Sequence, residues 1–307
     1  MNKTALLFAG QGSQVCGMGR DLAEKFPSAK SWFARANDAL GCDFASLCFS
    51  GPEAELTKTE NAQPAIFLIG WIAVDLLKEE VGLKFDATAG LSLGEFTALT
   101  AAGVMSFEDG LRVVRQRGKF MQEACDVTRG SMAALIGLDE TLAREICAQA
   151  GVALANLNCP GQIVISGQAE LIGKAVELAK AKGAKRAIPL QVAGAYHSPL
   201  MASAQPKLEA ELAGIKMAEP MVPVVSNVTA RPHGSPAEIA ARLVEQVCAP
   251  VLWENSMQWL LGQGFTRFIE LGPGAALSGF MRRIDRNVQI LNVADVASLE
   301  ATVKAIA

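Results

Sequence analysis

Short hydrophobic runs alternate with longer stretches of helical periodicity through the first part of the chain. Thr4–Phe8 and Ala87–Ala89 are short and apolar, as buried strands are. Helical patterns follow Pro64, follow Gly94 and begin at Ser106. This alternation predicts a layered α/β domain.

The pattern changes after residue 131, where strand and helix patterns succeed one another in the order β-α-β-β-α-β. The six predicted elements are Met132–Leu138, Glu140–Gln149, Val152–Leu157, Gln162–Ser166, Glu170–Lys182 and Ala187–Val192. This order is that of a ferredoxin-like unit.

The α/β pattern resumes towards the C-terminus. The sequence predicts strands at Pro223–Ser226 and Thr266–Leu271. It predicts helices at Pro236–Val247, Trp253–Gln263 and Gly274–Ile284. We therefore predict an α/β fold with a large domain of residues 1–128 and 198–307. A small ferredoxin-like domain, residues 129–197, is inserted into it.

Composition excludes several classes of protein. The chain has 307 residues, 50% of them hydrophobic and 19% charged, which suffices for one large core with a small satellite domain. A net charge of -3 with scattered Lys and Arg provides no basic surface, so we expect no nucleic-acid partner. The longest apolar run, Ala65–Val74, is too short to cross a bilayer, and the N-terminal run is too short for a signal peptide.

The seven cysteines are odd in number and include no C-x-x-C pair. This usage indicates neither a disulfide framework nor a zinc site. We therefore expect a cytoplasmic protein with no metal site.

The segment Gly90-Leu91-Ser92-Leu93-Gly94 is a G-x-S-x-G motif between a strand pattern and a helix pattern. Such a motif places its serine on a sharp turn at a helix N-terminus, where unpaired backbone N–H groups can bind an oxyanion. Ser92 is therefore a candidate nucleophile, and the alternative is an ordinary strand-to-helix turn. The backbone N–H of Leu93 is the candidate oxyanion donor.

An activated serine needs a proton acceptor, usually a histidine, and the chain has two. His197 follows the last predicted strand of the small domain, whereas His233 lies in a polar stretch that predicts an exposed turn. We favour His197 as the base, and a structural hinge residue is the alternative. No carboxylate stands out as its partner, and because a backbone carbonyl can orient an imidazole, the catalytic unit can be a Ser-His dyad.

Arg117 interrupts the apolar stripe of the helix predicted from Ser106. It lies three and four residues after Val114 and Val113, so it projects from the apolar face. An unpaired buried guanidinium is costly, and its planar fork matches a carboxylate. Arg117 is therefore a structural ion-pair member, an arginine that reaches solvent from the edge of the stripe, or the binding group for a substrate carboxylate.

Two further segments have a weaker signal. Gly10-Gln11-Gly12-Ser13-Gln14 follows the first strand, where its N–H groups can complete an oxyanion hole or form a plain turn. It matches neither a P-loop nor G-x-G-x-x-G. Cys159 has no basic neighbour in sequence to activate its thiol, so we interpret it as structural.

Taken together, these residues resemble the malonyl-CoA:acyl carrier protein transacylase family of bacterial fatty acid synthesis. The resemblance runs from Ala9 almost to the C-terminus and depends on seven segments in order. They are Phe8–Gln14, Asn61–Ala65, Gly90–Glu95, Arg117–Met121, Asn158–Gln162, Ala195–Pro199 and Glu270–Gly274. It implies a hydrolase-like large domain with a parallel-sheet core and a ferredoxin-like insert.

The resemblance also implies catalytic roles. Ser92 is acylated, His197 is the general base, and the backbone N–H groups of Gln11 and Leu93 hold the oxyanion. The backbone carbonyl of Gln246 orients the imidazole, which supplies the partner that the sequence itself did not identify. The implied reaction is ping-pong transfer of a malonyl group, with no metal and no cofactor, since the CoA thioester is a substrate.

Substrate-binding residues follow from the same resemblance. Arg117 grips the malonyl carboxylate, and Gln63, Met121 and Tyr196 contribute to the substrate site. The implied partners are malonyl-CoA and acyl carrier protein, with no nucleic acid and no membrane, and we expect a monomer.

Three positions depart from the family pattern. Leu91 stands where histidine is usual, Tyr196 where malonyl-specific members have phenylalanine, and Cys159 where serine is common. There are three alternative functions: an acyltransferase of polyketide assembly with another extender unit, a Ser-His thioesterase or hydrolase, which the order of Ser92 and His197 also allows, and a non-catalytic carrier-binding protein, which Leu91 favours.

Overall fold

The structure, a computed structural model, describes residues 3–306. In this range the strands are β1 (Lys3–Phe8), β2 (Ala87–Gly90), β3 (Gly130–Ile136), β4 (Ala153–Cys159), β5 (Gln162–Gln168), β6 (Arg186–Pro189), β7 (Val224–Val225), β8 (Phe265–Leu271) and β9 (Gln289–Val293).

The helices of the first 127 residues are α1 (Arg20–Lys25), α2 (Pro27–Leu40), α3 (Phe44–Ser50), α4 (Glu53–Thr57), α5 (Thr59–Val81), α6 (Gly94–Ala101) and α7 (Phe107–Val127). Those that follow are α8 (Glu140–Ala150), α9 (Ala169–Ala181), α10 (Gln205–Ala213), α11 (Pro236–Gln246), α12 (Trp253–Gly262), α13 (Ala276–Ile284) and α14 (Val296–Ile306). A 3-10 helix spans Pro199–Ala204. The described helices are all too short or too polar to cross a bilayer.

Packing divides the chain into two compact units. The first consists of Met1–Gly118, Ile215–Val225 and Leu260–Ala307, and the second of Lys119–Gly214 and Ser226–Trp259.

The first unit contains a parallel five-stranded sheet in the order β7-β2-β1-β8-β9. The central strand β1 is buried at five of its six positions, which is why its sequence is a nearly continuous apolar run. Since parallel strands end at the same edge, the loops after β1 and β2 emerge side by side there. This edge is where the Gln11 loop and the Ser92 turn begin.

Helix α5 begins earlier than the sequence predicted. We expected a helix after Pro64, but α5 starts at Thr59 and contains the proline. The N–H groups of Asn61 and Ala62 both donate to the Lys58 carbonyl, so the first turn is closed before the proline is reached. The missing proline N–H then costs one hydrogen bond of the second turn and does not end the helix.

The second unit contains an antiparallel sheet in the order β4-β5-β3-β6. Helices α8 and α9 pack on each other and on this sheet around a buried apolar core that includes Leu135, Ile146, Ile163 and Ile172. The sequence order is the predicted β-α-β-β-α-β, and the predicted fold class is confirmed. Strand β6 ends at Pro189, earlier than expected, and the Leu190 N–H just beyond it donates to the Met132 carbonyl of β3.

Packing also attaches Ser226–Trp259 to the second unit. The Val251 N–H donates to the Ala155 carbonyl, and the Leu157 N–H donates to the Val251 carbonyl, which extends the sheet beyond β4. The predicted division placed residues 198–307 wholly in the large domain. These domain boundaries stay a prediction, because packing groups residues by contact and does not test which segments fold together.

Candidate active site

Ser92 lies on a sharp turn between β2 and α6. Its φ of 54° is in the left-handed region. A residue other than glycine is strained there and keeps this conformation only where the surrounding structure holds it in place. A Cβ on Gly90 would lie 1.9 Å from the Gly94 backbone, and a Cβ on Gly94 would lie 2.2 Å from the Phe8 carbonyl oxygen. Both glycines are therefore required for β1, the turn and α6 to approach this closely.

Main-chain hydrogen bonds fix the turn to the central strand. The Leu91 N–H donates to the Phe8 carbonyl over 3.1 Å, and the Gly94 N–H donates to the Leu91 carbonyl over 3.0 Å. Leu93 immediately precedes α6, where the first N–H groups have no intrahelical acceptor. The local geometry is that of a nucleophile elbow.

Arg117 is 1% exposed and contacts the serine directly. Its Nη2 donates to Ser92 Oγ over 3.0 Å and its Nη1 donates to Gln63 Oε1 over 2.7 Å. The guanidinium also lies over the Phe96 ring, 5.5 Å from its centroid. The arginine on the apolar stripe of α7 is thus turned towards Ser92.

Side-chain amides extend this group to the loop after β1. Gln63 Nε2 donates to Gln11 Oε1 over 3.5 Å, and Gln11 Nε2 donates to Thr59 Oγ1 over 3.4 Å. The first unit therefore brings together four of the predicted site residues, namely Gln11, Gln63, Ser92 and Arg117. Thr59 joins them from the first turn of α5.

His197 lies in the second unit, 4% exposed, with a φ of 57°. Its Nδ1 is 2.9 Å from the carbonyl oxygen of Gln246. A carbonyl only accepts, so Nδ1 donates and the neutral ring keeps its lone pair on Nε2.

The Gln246 carbonyl is available because Gln246 is the last residue of α11. Carbonyls of the last helical turn lack intrahelical donors. They also form the negative end of the helix dipole, which stabilises a positive charge placed beside them. The Gln246 side chain is fully buried, and its Nε2 donates to Asn227 Oδ1 over 3.4 Å.

Ser198 holds the loop that carries the histidine. Its hydroxyl donates to the Ala195 carbonyl over 2.6 Å and accepts from the Leu200 N–H over 3.3 Å. These two bonds brace the loop on both sides of His197.

The other two predicted substrate residues also lie in the second unit. Met121 and Tyr196 are buried, at 2% and 7% exposure. The Tyr196 hydroxyl is hydrogen-bonded to the Cys125 thiol; burial raises the pKa of that thiol to about 11, and the hydrogen bond partly opposes the increase.

The prediction that His233 is exposed is wrong, since it is 9% exposed. Its polar sequence neighbours did not reveal that the loop after β7 packs inwards. Sequence reasoning also missed Thr59, Asn227 and Phe96. Of these, only Phe96 could have been suspected from the sequence, because it lies just four residues after the candidate nucleophile Ser92.

No three His, Cys, Asp or Glu side chains between residues 3 and 306 form a group suited to a metal ion.

Comparison with known proteins identifies the family. The model of the acyl transferase domain matches residues 5–301. A malonyl CoA-acyl carrier protein transacylase of Bacillus subtilis (strain 168) is 45% identical in an alignment that covers 99% of this chain and 97% of the relative. The chain belongs to the malonyl CoA-acyl carrier protein transacylase family.

Solved structures of the transacylase family have the same fold. The malonyl-CoA:acyl carrier protein transacylase of Xanthomonas oryzae pv. oryzae has a TM-score of 0.96 and 41% identity, covering 99% of this chain and 98% of that one. A malonyl-transacylase in complex with its type II PKS acyl-carrier protein has a TM-score of 0.95 and 39% identity, covering 99% of each chain. The predicted family is confirmed.

Proposed function

We propose that this enzyme moves the malonyl group of malonyl-CoA to the phosphopantetheine thiol of an acyl carrier protein in fatty acid synthesis. The observation that carries the proposal is Arg117, a buried cation hydrogen-bonded to the hydroxyl of an elbow serine. A serine that attacks uncharged esters has no need of such a cation. A thioester that ends in a carboxylate does.

In the first half-reaction Ser92 Oγ attacks the thioester carbonyl while Nε2 of His197 takes the hydroxyl proton. The N–H groups of Gln11 and Leu93 stabilise the oxyanion. The C–S bond then breaks, and CoA leaves as a thiol with the proton from His197. The product is a malonyl ester of Ser92.

In the second half-reaction the carrier's phosphopantetheine thiol attacks this ester. His197 takes the thiol proton and returns it to Ser92 Oγ as the C–O bond breaks. The Gln246 carbonyl keeps the imidazole in the required tautomer through both steps. Ser92 and His197 therefore serve both half-reactions of the ping-pong cycle.

Arg117 binds the malonyl carboxylate as a fork, and Gln63 positions the guanidinium. Met121 and Tyr196 complete the acyl site in this proposal. Tyr196 stands where malonyl-specific members have phenylalanine. The most informative selectivity measurement therefore compares malonyl-CoA with methylmalonyl-CoA as substrates.

The reaction as proposed uses no metal and no bound cofactor, because the thioester itself supplies the activated acyl group. We also propose that the enzyme is a monomer working in the cytoplasm. All seven cysteines lie in the described range and have free thiols, as suits a reducing compartment.

Intact-mass measurement after mixing with malonyl-CoA tests the proposal. We expect one added malonyl group on the unmodified enzyme and none on Ser92→Ala. Adding acyl carrier protein should discharge the adduct onto the carrier. An unchanged mass of the unmodified enzyme would refute the proposal, and release of malonate to water in preference to the carrier would indicate a hydrolase.

A second candidate is the same transfer in polyketide assembly, favoured by the structural neighbour that binds a type II PKS carrier. Comparing kcat/KM with a fatty acid carrier and a polyketide carrier separates the two.

A further inference from the structure

The contact between Arg117 and Ser92 joins the carboxylate-binding group to the nucleophile itself. Nη2 donates to Ser92 Oγ, and Nη1 donates to Gln63 Oε1. Both side chains are buried, with Arg117 at 1% and Ser92 at 8% exposure. At this burial a charge-assisted hydrogen bond to Oγ is not weakened by water.

A donor on Oγ opposes the attack of that oxygen. During attack Oγ bonds the thioester carbon while His197 takes its proton, so no full negative charge builds up on Oγ, and the product is an ester oxygen, which is a poorer acceptor than a hydroxyl. The hydrogen bond from Arg117 is therefore stronger before the attack than in the transition state. An interaction that favours the ground state raises the barrier.

A carboxylate competes for the same N–H group. A guanidinium binds a carboxylate in a charge-assisted, bidentate manner, more strongly than it binds a neutral hydroxyl. The contact with Gln63 holds the guanidinium while Nη2 changes partner. The substrate's own carboxylate can then remove the restraint on the serine.

We propose that Arg117 is a latch on Ser92, released by the carboxylate of the acyl group. The inference rests on the proposed function and adds to it a selectivity that acts on the rate of attack as well as on binding. Ser92 keeps its hydrogen bond from Arg117 when the acyl group has no carboxylate, and loses it when the acyl group has one.

The test separates the carboxylate from the acylating group. Methanesulfonyl fluoride is small and uncharged; Ser92 Oγ bonds its sulfur, fluoride leaves, and His197 accepts the proton. Labelling is followed by intact mass in sodium acetate, with sodium chloride at the same ionic strength as reference. Acetamide, which has the shape of acetate without its charge, is the second reference.

We expect acetate to accelerate labelling saturably by about tenfold, the effect of relieving one charge-assisted hydrogen bond, with no effect of acetamide. Arg117→Ala and Arg117→Gln should label faster than the unmodified enzyme without acetate, and acetate should not accelerate them. The glutamine variant removes the charge but leaves a smaller void than alanine does, so it controls for a collapsed cavity. Arg115→Ala is the matched control on the same helix, because Arg115 donates to the Leu40 carbonyl, and it should behave as the unmodified enzyme.

The proposal is overturned if acetate leaves the labelling rate unchanged, or if both Arg117 variants label no faster than the unmodified enzyme. Formation of the malonyl adduct is measured in parallel. An adduct without acceleration by acetate removes the latch and leaves the transacylase. Acceleration without an adduct removes the transacylase.

Discussion

The Nδ1 atom of His197 is 2.9 Å from the carbonyl oxygen of Gln246, the last residue of α11. A main-chain carbonyl at a helix C-terminus thus contacts the ring nitrogen that a carboxylate contacts in a Ser-His-Asp triad. It fixes the tautomer without adding a full negative charge beside the ring.

Because the orienting group belongs to the backbone, Gln246→Ala should retain most of the acylation rate. We expect a loss of less than about tenfold, against about 100-fold to 10,000-fold for His197→Ala. Gln246→Ala also loses the hydrogen bond to Asn227, which should lower the free energy of unfolding by about 1 kcal/mol. Single-turnover acylation and urea unfolding measure the two effects, and equal rate losses in the two variants would contradict the assignment.

Gly94→Ala should both destabilise the protein and slow acylation. The new Cβ would lie 2.2 Å from the Phe8 carbonyl oxygen, in the backbone of the central strand, which cannot yield. We expect a loss of about 3 kcal/mol in the free energy of unfolding. The control is Gly279→Ala, inside α13, where a Cβ meets nothing within 4 Å. That change should stabilise the protein by about 0.5–1 kcal/mol, and similar losses at both positions would contradict the crowding argument.

Arg117→Ala should separate malonyl from acetyl transfer. Removing the cation that pairs with a buried carboxylate costs about 2–5 kcal/mol, so kcat/KM for malonyl-CoA should fall roughly 30-fold or more. Acetyl-CoA has no carboxylate, so its kcat/KM should not fall. Steady-state kinetics with both thioesters provide the comparison, and a parallel loss would mean that Arg117 is a structural residue.

The buried Cys48 should make stability fall at high pH. Burial raises the pKa of this thiol from 9.0 to about 12. Above pH 9 the unfolded thiol ionises while the folded one stays protonated, so the unfolded state binds fewer protons and stability decreases with pH. The contribution is about 1.4 kcal/mol per pH unit between these two values.

Cys48→Ala should therefore have a shallower decline of stability above pH 9 than the unmodified protein, whatever its loss of packing at neutral pH. Cys42→Ala is the control, because that thiol is exposed to water in the folded protein. Urea unfolding at pH 8, 9 and 10 measures the slopes, and identical slopes for Cys48→Ala and Cys42→Ala would be the contrary result.

Local sequence determined a large part of this protein. The G-x-S-x-G spacing implied a serine at a strained turn, because only glycine fits where β1 and α6 approach that turn. The 3.6-residue periodicity of α7 implied a buried Arg117, and the order of strands and helices implied the two sheets. These features depend on residues near one another in the chain, where spacing and geometry are directly related.

Tertiary structure alone decided the partners. The sequence did not indicate that Thr59 would contact Gln11, that Arg117 would donate to Ser92, or that His233 would be buried. Residues far apart in the chain leave no periodic signal of their contact. The hydrogen-bond partner of His197 is the clearest case. Every residue has a carbonyl, and only the fold places the end of α11, with the carbonyl of Gln246, against the imidazole.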